Sequence, residues 1–276
     1  MPPSTNLAPR KGSDMQTAPA SPSSVRGGHL PASPHGPLTE VFGGIWFVRG
    51  GLKMPMRLPI KIGRAMTVVR GEDGLVLFNS MRLSEQGLRQ LEALGEVRHV
   101  VRLSGFHGRD DGFYRDRYGA KVYAIEGQKY VREMDPEKGA PATYMEPDVW
   151  LNEQSTLPLP DARLKVFASS KPPEALCILE REGGIVIAGD SPQHSPEPSE
   201  FHNFLAKLMM KRMGFFKPYN VGPGWLQFAH PTAADVRSVL ELDFEHVLPC
   251  HGDPVIGDAK EKFRPTLEGE LKGCHS

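Results

Sequence analysis

The sequence predicts an α/β fold in which two β-sheets face each other. Each half of the chain contains short β-rich runs joined by a tight turn, at residues 71–74 in the first half and 181–184 in the second. Segments with helical spacing of apolar residues alternate with these runs. Two hairpin-bearing halves of this kind suggest two packed sheets.

The first half of the chain consists of strands with one clear helix between them. The expected strands cover 40–48, 65–70, 75–79, 97–103 and 121–125. Ser84 is a favoured N-cap residue, and Leu88 and Leu91 follow it at helical spacing until Gly95. A helix is therefore predicted between the third and fourth strands.

The second half repeats this style and adds two helices. Its expected strands cover 164–168, 175–180, 185–188 and 244–248. The run 185–188 is apolar without interruption, which is typical of a buried strand. A helix over 201–213 would place Phe204, Leu208 and Met209 on one side and basic residues on the other. A further helix is predicted over 231–242.

Residues 1–37 are rich in Pro, Ser, Gly and Ala and hold few large apolar side chains. Such a segment buries too little surface to offset the entropy of ordering, so we expect a disordered leader before one domain over 38–276. The sequence shows neither the apolar core of a secretory signal nor the roughly 18 to 20 apolar residues of a spanning helix. We therefore expect a cytoplasmic protein with no transmembrane segment.

Charge and cysteine content exclude several further classes of protein and partner. The 33 basic and 33 acidic residues cancel, and no basic patch with interleaved aromatic residues is evident, so no nucleic-acid partner is expected. Cys177, Cys250 and Cys274 lie far apart and form neither a CxxC pair nor a disulfide framework, which fits a reducing compartment. A small-molecule substrate is the remaining expectation.

Three loops that follow apolar strands carry a His or an Asp, and they are the main functional signal. They contain His107, Asp190 and His251, each with a glycine beside it. The carboxyl ends of strands are where α/β proteins usually place their sites. Imidazole and carboxylate are donors that zinc, iron or manganese accept, and glycine lets the backbone approach a small ion.

These loops resemble those of the metallo-β-lactamase superfamily, over about four fifths of the chain (41–255). Gly189-Asp190 is similar to the superfamily's GD turn, and 249–254 is similar to its last-His turn, with Cys250 where glycine is usual. The resemblance implies a four-layer αββα sandwich and a metal-dependent hydrolase.

The first loop departs from the superfamily's H-x-H-x-D-H pattern. In one register, His107, Arg109 and Asp111 stand at the His, His and Asp positions; in another, His107 is the second His and Gly105 replaces the first. The segment 168–172 also lacks the His that the superfamily carries there. The resemblance therefore implies a reduced site with a single ion, zinc or else iron or manganese.

The residues that the resemblance assigns to this ion are His107, Asp111, Asp190 and His251. An unliganded carboxylate of Asp110 or Asp111 could accept a proton during attack on an ester, thioester or phosphate, although either could instead cap the following helix. Arg109 could hold an anionic substrate group. His194 and His230 are candidate replacement ligands, and Cys250 is either a ligand or a small buried residue.

Residues 193–227 form an insertion that the implied αββα fold does not require. This apolar insertion could be a lid over a hydrophobic substrate channel, a homodimer surface or a membrane-surface helix. Three functions stay open: a metal-dependent hydrolase, a binding or structural protein that keeps the fold without metal, and an iron-bearing oxidoreductase.

Overall fold

The first half of the chain forms a seven-stranded sheet. The computed structural model describes residues 28–54, 58–128, 145–271 and 273–274. In sheet order the strands are β1 (Thr39–Phe42), β2 (Ile45–Lys53), β3 (Lys61–Arg70), β4 (Leu75–Phe78), β5 (Val97–Arg102), β6 (Lys121–Ile125) and β7 (Val149–Leu151). Helices α1 (Glu85–Leu94) and α2 (Asp111–Tyr118) connect β4 to β5 and β5 to β6, whose pairings are parallel.

The second half forms a smaller sheet and carries most of the helices. Its strands are β8 (Ala162–Phe167), β9 (Glu174–Leu179), β10 (Ile185–Ile187) and β13 (His246–Leu248), in the order β13-β10-β9-β8. A two-stranded ribbon, β11 (Pro192–Gln193) with β12 (Asn220–Val221), brackets α3 (Phe204–Arg212). The chain continues through α4 (Pro223–Ala229), α5 (Ala233–Arg237) and, after β13, α6 (Ala259–Glu268).

Three apolar clusters hold the layers together. The central one lies between the two sheets, with Phe47 and Val101 from the larger and Cys177 and Ile187 from the smaller. A second cluster packs α1 and α2 on the larger sheet, and a third packs α4, α5 and α6 on the smaller. The architecture is therefore a four-layer αββα sandwich, and the predicted fold class is confirmed.

Local sequence signals locate several elements correctly. The Ser84 side chain accepts a hydrogen bond from the Gly87 amide at the start of α1, and Gly95 follows its end with φ of 151°. Strands β3 and β4 pair as the predicted hairpin around 71–74. The single strand predicted over 40–48 is wrong, because Gly43 and Gly44 form a turn that splits it into the antiparallel β1 and β2.

The fully buried residues of α3 are not those of its predicted apolar side. Ala206 and Met210 are the buried residues of this helix, and they pack with Ile60. Phe204 and Leu208, which the sequence placed on the apolar side of the helix, are 82% and 60% exposed.

Most of the predicted leader, 1–27, lies outside the described residues, as do residues 129–144. Residues 28–37 are described, and 34–36 lie along β2. Gly36 donates a hydrogen bond to the Arg49 carbonyl, and Gly51 donates one to that of Pro34. This last part of the predicted leader is thus tied to the sheet by backbone hydrogen bonds.

None of the helices in the described part of the chain combines the length and apolar character needed to cross a membrane.

Candidate functional site

The three strand-end loops converge. His107 follows β5, Asp190 follows β10, and His251 follows β13; β10 and β13 are parallel neighbours, so their carboxyl ends leave the sheet side by side. His107 Nε2 lies 3.2 Å from Asp190 Oδ2, and His251 Nε2 lies 3.1 Å from Asp190 Oδ1. We refer to His107, Asp190 and His251 as the His–Asp cluster.

Asp190 lies at the centre of this cluster. Its Oδ2 accepts a hydrogen bond of 2.7 Å from Ser104 Oγ in addition to its contact with His107. Burial alone would raise the pKa of Asp190, but the two imidazoles outweigh that effect and hold the pKa well below its usual range. Asp190 is therefore a carboxylate anion between two imidazoles.

The contacts of His251 require a positive charge. Its Nδ1 lies 2.8 Å from the Gly63 carbonyl oxygen, which can only accept, so Nδ1 carries a proton. Its Nε2 lies 3.1 Å from Asp190 Oδ1, which also can only accept. Either Nε2 carries a second proton, or Nε2 and the carboxylate share a cation. The contact with Asp190 raises the pKa of His251 even though burial opposes it, as the protonated alternative requires.

Cys250 adds a fourth donor. Ligand atoms of His107, Asp190, Cys250 and His251 all lie within 4.8 Å of one another, which is the spacing of groups that can share one ion. The Cys250 thiol is buried and donates a hydrogen bond of 2.6 Å to the Gly189 carbonyl. Burial raises its pKa well above the usual value, so without a cation it is a neutral thiol.

Sequence reasoning missed Glu174, which supports the cluster from β9. This fully buried carboxyl group accepts a 2.6 Å hydrogen bond from the Ser191 amide. Burial, with the charge of Asp190 adding to it, raises the pKa of Glu174 to about 8. A Cβ on Gly189 would lie 2.9 Å from Glu174 Cδ, so the glycine is needed for this approach. The available signal was a glutamate that opens an otherwise apolar strand.

The neighbouring carboxylates Asp110 and Asp111 face arginines instead. Asp110 Oδ2 accepts a 2.5 Å hydrogen bond from Arg64 Nη2, with both side chains buried. Asp111 Oδ2 lies 3.7 Å from Arg102 Nε, and its Oδ1 accepts a 2.7 Å hydrogen bond from Ser80 Oγ. We refer to these as the arginine–aspartate pairs.

These pairs bear on the predicted ligand set. Asp111 is absent from the group of converging ligand atoms, and its role as a ligand stays a prediction. Burial is the main cause that raises the pKa of Asp111. Asp110 occupies the N-cap position of α2 but makes no capping hydrogen bond with its side chain.

The remaining candidates lie around the cluster without joining it. Arg109 donates a 3.0 Å hydrogen bond to the Lys53 carbonyl, and burial lowers its pKa, with Asp110 opposing and Arg64 reinforcing that change. His194 stacks on Tyr219 with ring centroids 4.6 Å apart, and His230 is the C-cap residue of α4. Neither histidine belongs to the ligand group.

The His–Asp cluster opens into a cavity of about 540 Å³. Arg64 and Arg109 also line it, whereas Cys250 does not. The 193–227 insertion supplies much of its apolar wall, including Met210, Phe215 and Trp225. The insertion thus shapes the space above the cluster.

Comparison with known proteins gives the architecture a name. No model of a known protein family matches the sequence, and no curated protein matches it. Solved structures do match. A metallo-β-lactamase from Hirschia baltica superposes with a TM-score of 0.55 at 13% identity, covering 86% of this chain and 100% of its own. The chain has the metallo-β-lactamase fold.

Two further structures agree with this assignment. The metallo-β-lactamase FIM-1 from Pseudomonas aeruginosa, in a mono-zinc form, gives a TM-score of 0.55 at 15% identity over 86% of this chain and 96% of its own. DIM-1 metallo-β-lactamase, exposed to ceftazidime, gives 0.55 at 12% identity over 87% and 99%. At such low identity, the shared property is the metallo-β-lactamase fold itself.

Proposed function

We propose that this protein is a single-metal hydrolase in which His107, Asp190 and His251 hold the ion. The observation that carries the proposal is the pair of contacts at His251, whose Nδ1 and Nε2 both face oxygens that can only accept. A cation shared by Nε2 and Asp190 satisfies both contacts with a neutral imidazole. Two imidazoles and a carboxylate, with a thiol behind them, suit zinc, and iron or manganese are the alternatives.

An ion in this place supplies Lewis-acid chemistry that polarises a carbonyl or phosphoryl oxygen. The residues around it orient its ligands. The Gly63 carbonyl fixes the tautomer of His251, and Ser104 fixes the orientation of Asp190. The apolar cavity walls exclude water from a small-molecule substrate above the cluster.

The proposal is tested by metal analysis of the purified protein. Protein stripped with chelator, incubated with zinc, iron(II) or manganese(II) and freed of excess metal should retain about one ion per chain. His107→Ala and His251→Ala should lose it. His194→Ala is the matched control, because this histidine is stacked on Tyr219 outside the cluster, and it should bind metal like the wild type. Failure of the wild-type protein to retain any of the three metals would contradict the proposal.

Catalysis is then tested with the metal-loaded protein on chromogenic esters, thioesters and phosphate esters. Hydrolysis of at least one class should disappear in the two cluster variants and persist in His194→Ala. A visible absorption band of the purified protein would instead favour the iron-bearing oxidoreductase.

A second candidate, a metal-free binding protein, is favoured by one observation. If His251 is protonated, Asp190 already accepts hydrogen bonds from both imidazoles and Ser104, so the cluster is satisfied without an ion. In that case zinc and chelator should leave the melting temperature unchanged. The same melting measurement on metal-loaded and stripped protein separates the two candidates.

A further inference from the structure

We propose that the cavity binds an amphipathic organic anion, with its charged oxygens at Arg64 and Arg109 and its carbon skeleton against the apolar wall. This inference names a substrate class for the proposed hydrolase. That the bound anion is a substrate rests on the proposed function. The binding itself depends only on the cavity.

The cavity walls define the carbon-binding part. The volume of about 540 Å³ is in the range that accommodates a drug-sized molecule. The lining is largely apolar, with residues from the larger sheet, the His107 loop and the insertion, among them Leu52, Ile62, Phe106, Phe201, Met210 and Phe215. A ligand without a sizeable apolar part would leave these side chains facing water.

Arg64 supplies a buried cation at the cavity wall. Its side chain is only 6% exposed, and its Nη2 donates to Asp110. Its Nε finds no hydrogen-bond partner, although a guanidinium offers five N–H donors. The Arg64 guanidinium therefore has an N–H group without an acceptor, at a place that little water reaches.

Arg109 adds a second cation next to the His–Asp cluster. It is two residues from His107, and its guanidinium donates to the Lys53 carbonyl, a neutral group. The structure shows no ion pair between Arg109 and a described carboxylate, and Asp110, whose charge acts on Arg109, is already paired with Arg64. One positive charge at this end of the cavity is left without compensation.

The other charged groups of the lining do not supply that compensation. Asp190 is engaged by the imidazoles, and Asp253 accepts a 2.5 Å hydrogen bond from Arg49. Glu197 is exposed to water. An anion between Arg64 and Arg109 would form charge-assisted hydrogen bonds in a partly desolvated place, where such bonds are strong.

The test measures binding to metal-free protein by calorimetry in the presence of EDTA, with decanoate, decyl phosphate and decanamide as probes. Decanoate and decyl phosphate are both amphipathic anions, one with a carboxylate and one with a phosphate head group. Their relative affinities show which head group the arginines bind more tightly. Decanamide is neutral with the same chain and should bind roughly tenfold or more weakly. Shortening decanoate to hexanoate should weaken binding by up to about fourfold per CH₂ removed.

Two matched variants locate the anion. Arg109→Gln should weaken decanoate or decyl phosphate binding by about tenfold and leave decanamide unchanged. Arg49→Gln is the control, because Arg49 lines the same cavity but is paired with Asp253, and it should change anion binding by less than about threefold. Both arginines are partly exposed, so neither variant removes a buried ion pair.

Decanamide binding as tight as decanoate, or equal effects of Arg109→Gln and Arg49→Gln, would overturn the inference. Its failure is separable from failure of the proposed function. Anion binding without metal uptake would contradict the hydrolase and leave the cavity assignment standing. Metal uptake without a preference for anions would contradict the cavity assignment alone.

Discussion

The His–Asp cluster and the arginine–aspartate pairs both draw on the segment after β5, yet their carboxylates face different kinds of cation. Asp190 faces two imidazoles, whereas Asp110 and Asp111 face guanidinium groups. A guanidinium stays protonated and has no lone pair to offer a metal, so it cannot itself become a ligand beside its carboxylate. An imidazole can exchange its proton for an ion. Of these two groups, the His–Asp cluster is the one whose described side chains include ligand atoms close enough together to hold one metal ion.

Asp110 and Asp111 show how the surroundings of adjacent carboxylates bear on such a prediction. Two adjacent carboxylates after a strand-end His suggest a ligand and a proton acceptor. In the folded chain both are buried and committed to cations from other strands, Arg64 of β3 and Arg102 of β5. These contacts tie the start of α2, just after the loop that carries His107, to β3 and β5.

The largest expected effect concerns the buried pair of Arg64 and Asp110. Asp110→Ala leaves the Arg64 guanidinium buried without its carboxylate and should reduce the free energy of unfolding by about 3 to 5 kcal/mol. Urea denaturation measures it. The double variant Arg64→Met with Asp110→Leu removes both charges and should recover much of the loss. A loss below about 1 kcal/mol for Asp110→Ala would show that water reaches this pair.

Zinc should stabilise the protein through the His–Asp cluster and not through the arginine–aspartate pairs. At a free zinc concentration of about 100 times Kd, the free energy of unfolding should rise by about 2.7 kcal/mol. Denaturation with and without zinc should show this gain in wild type and in Asp111→Asn, but not in His251→Ala. Loss of the gain in Asp111→Asn would restore Asp111 to the ligand set.

Ser104→Ala tests how strongly the hydrogen bond from Ser104 to Asp190 contributes to zinc affinity. It removes a 2.7 Å hydrogen bond that orients the carboxylate, so zinc affinity should fall by roughly 10- to 100-fold. Competition with a chromogenic chelator measures the affinity. Ser191→Ala is the matched control, since among the described residues the hydroxyl of this neighbouring serine makes no hydrogen bond to Asp190, and it should change affinity by less than about threefold. Equal effects of the two variants would contradict the assigned role of Ser104.

The smallest expected effect comes from an arginine–carboxylate pair that water reaches, Arg181 with Asp161. Two hydrogen bonds of 2.6 Å from Arg181 lower the pKa of Asp161 below its usual value, with burial opposing. The pair therefore stabilises the fold above the unfolded-state pKa, about 4, and this contribution is lost as pH falls through the lower folded-state value.

Asp161→Asn should therefore cost at most about 1 kcal/mol at pH 7, far less than the buried pair. Unfolding measured from pH 7 down to pH 3 should show the difference between wild type and variant shrinking towards acid. A difference that grows towards acid would reverse the assigned direction of the pKa shift.

Elements controlled by neighbouring residues were predictable from the sequence. The N-cap of α1 at Ser84 and the hairpin around 71–74 depend on contacts within a few residues. The turn at Gly43 and Gly44 had the same kind of signal and was overlooked inside an apolar run. Helix α6 was also missed, since Pro265 lies within it and disguises its periodicity.

In the candidate site, too, local features were predictable and long-range contacts were not. Sequence position predicted His107, Asp190 and His251 because each follows an apolar strand. The side chains that contact these residues could not be predicted. Arg64, Ser104 and Glu174 belong to no sequence motif, and only the folding of β3, β5 and β9 brings them to the site.

The sequence by itself determined where strands end and which loops carry imidazole and carboxylate, since these properties are local. The tertiary structure decided which carboxylates meet imidazoles and which meet arginines. That choice depends on burial and on charges brought together from distant strands, and the free energy of a buried charge is set by its neighbours in space.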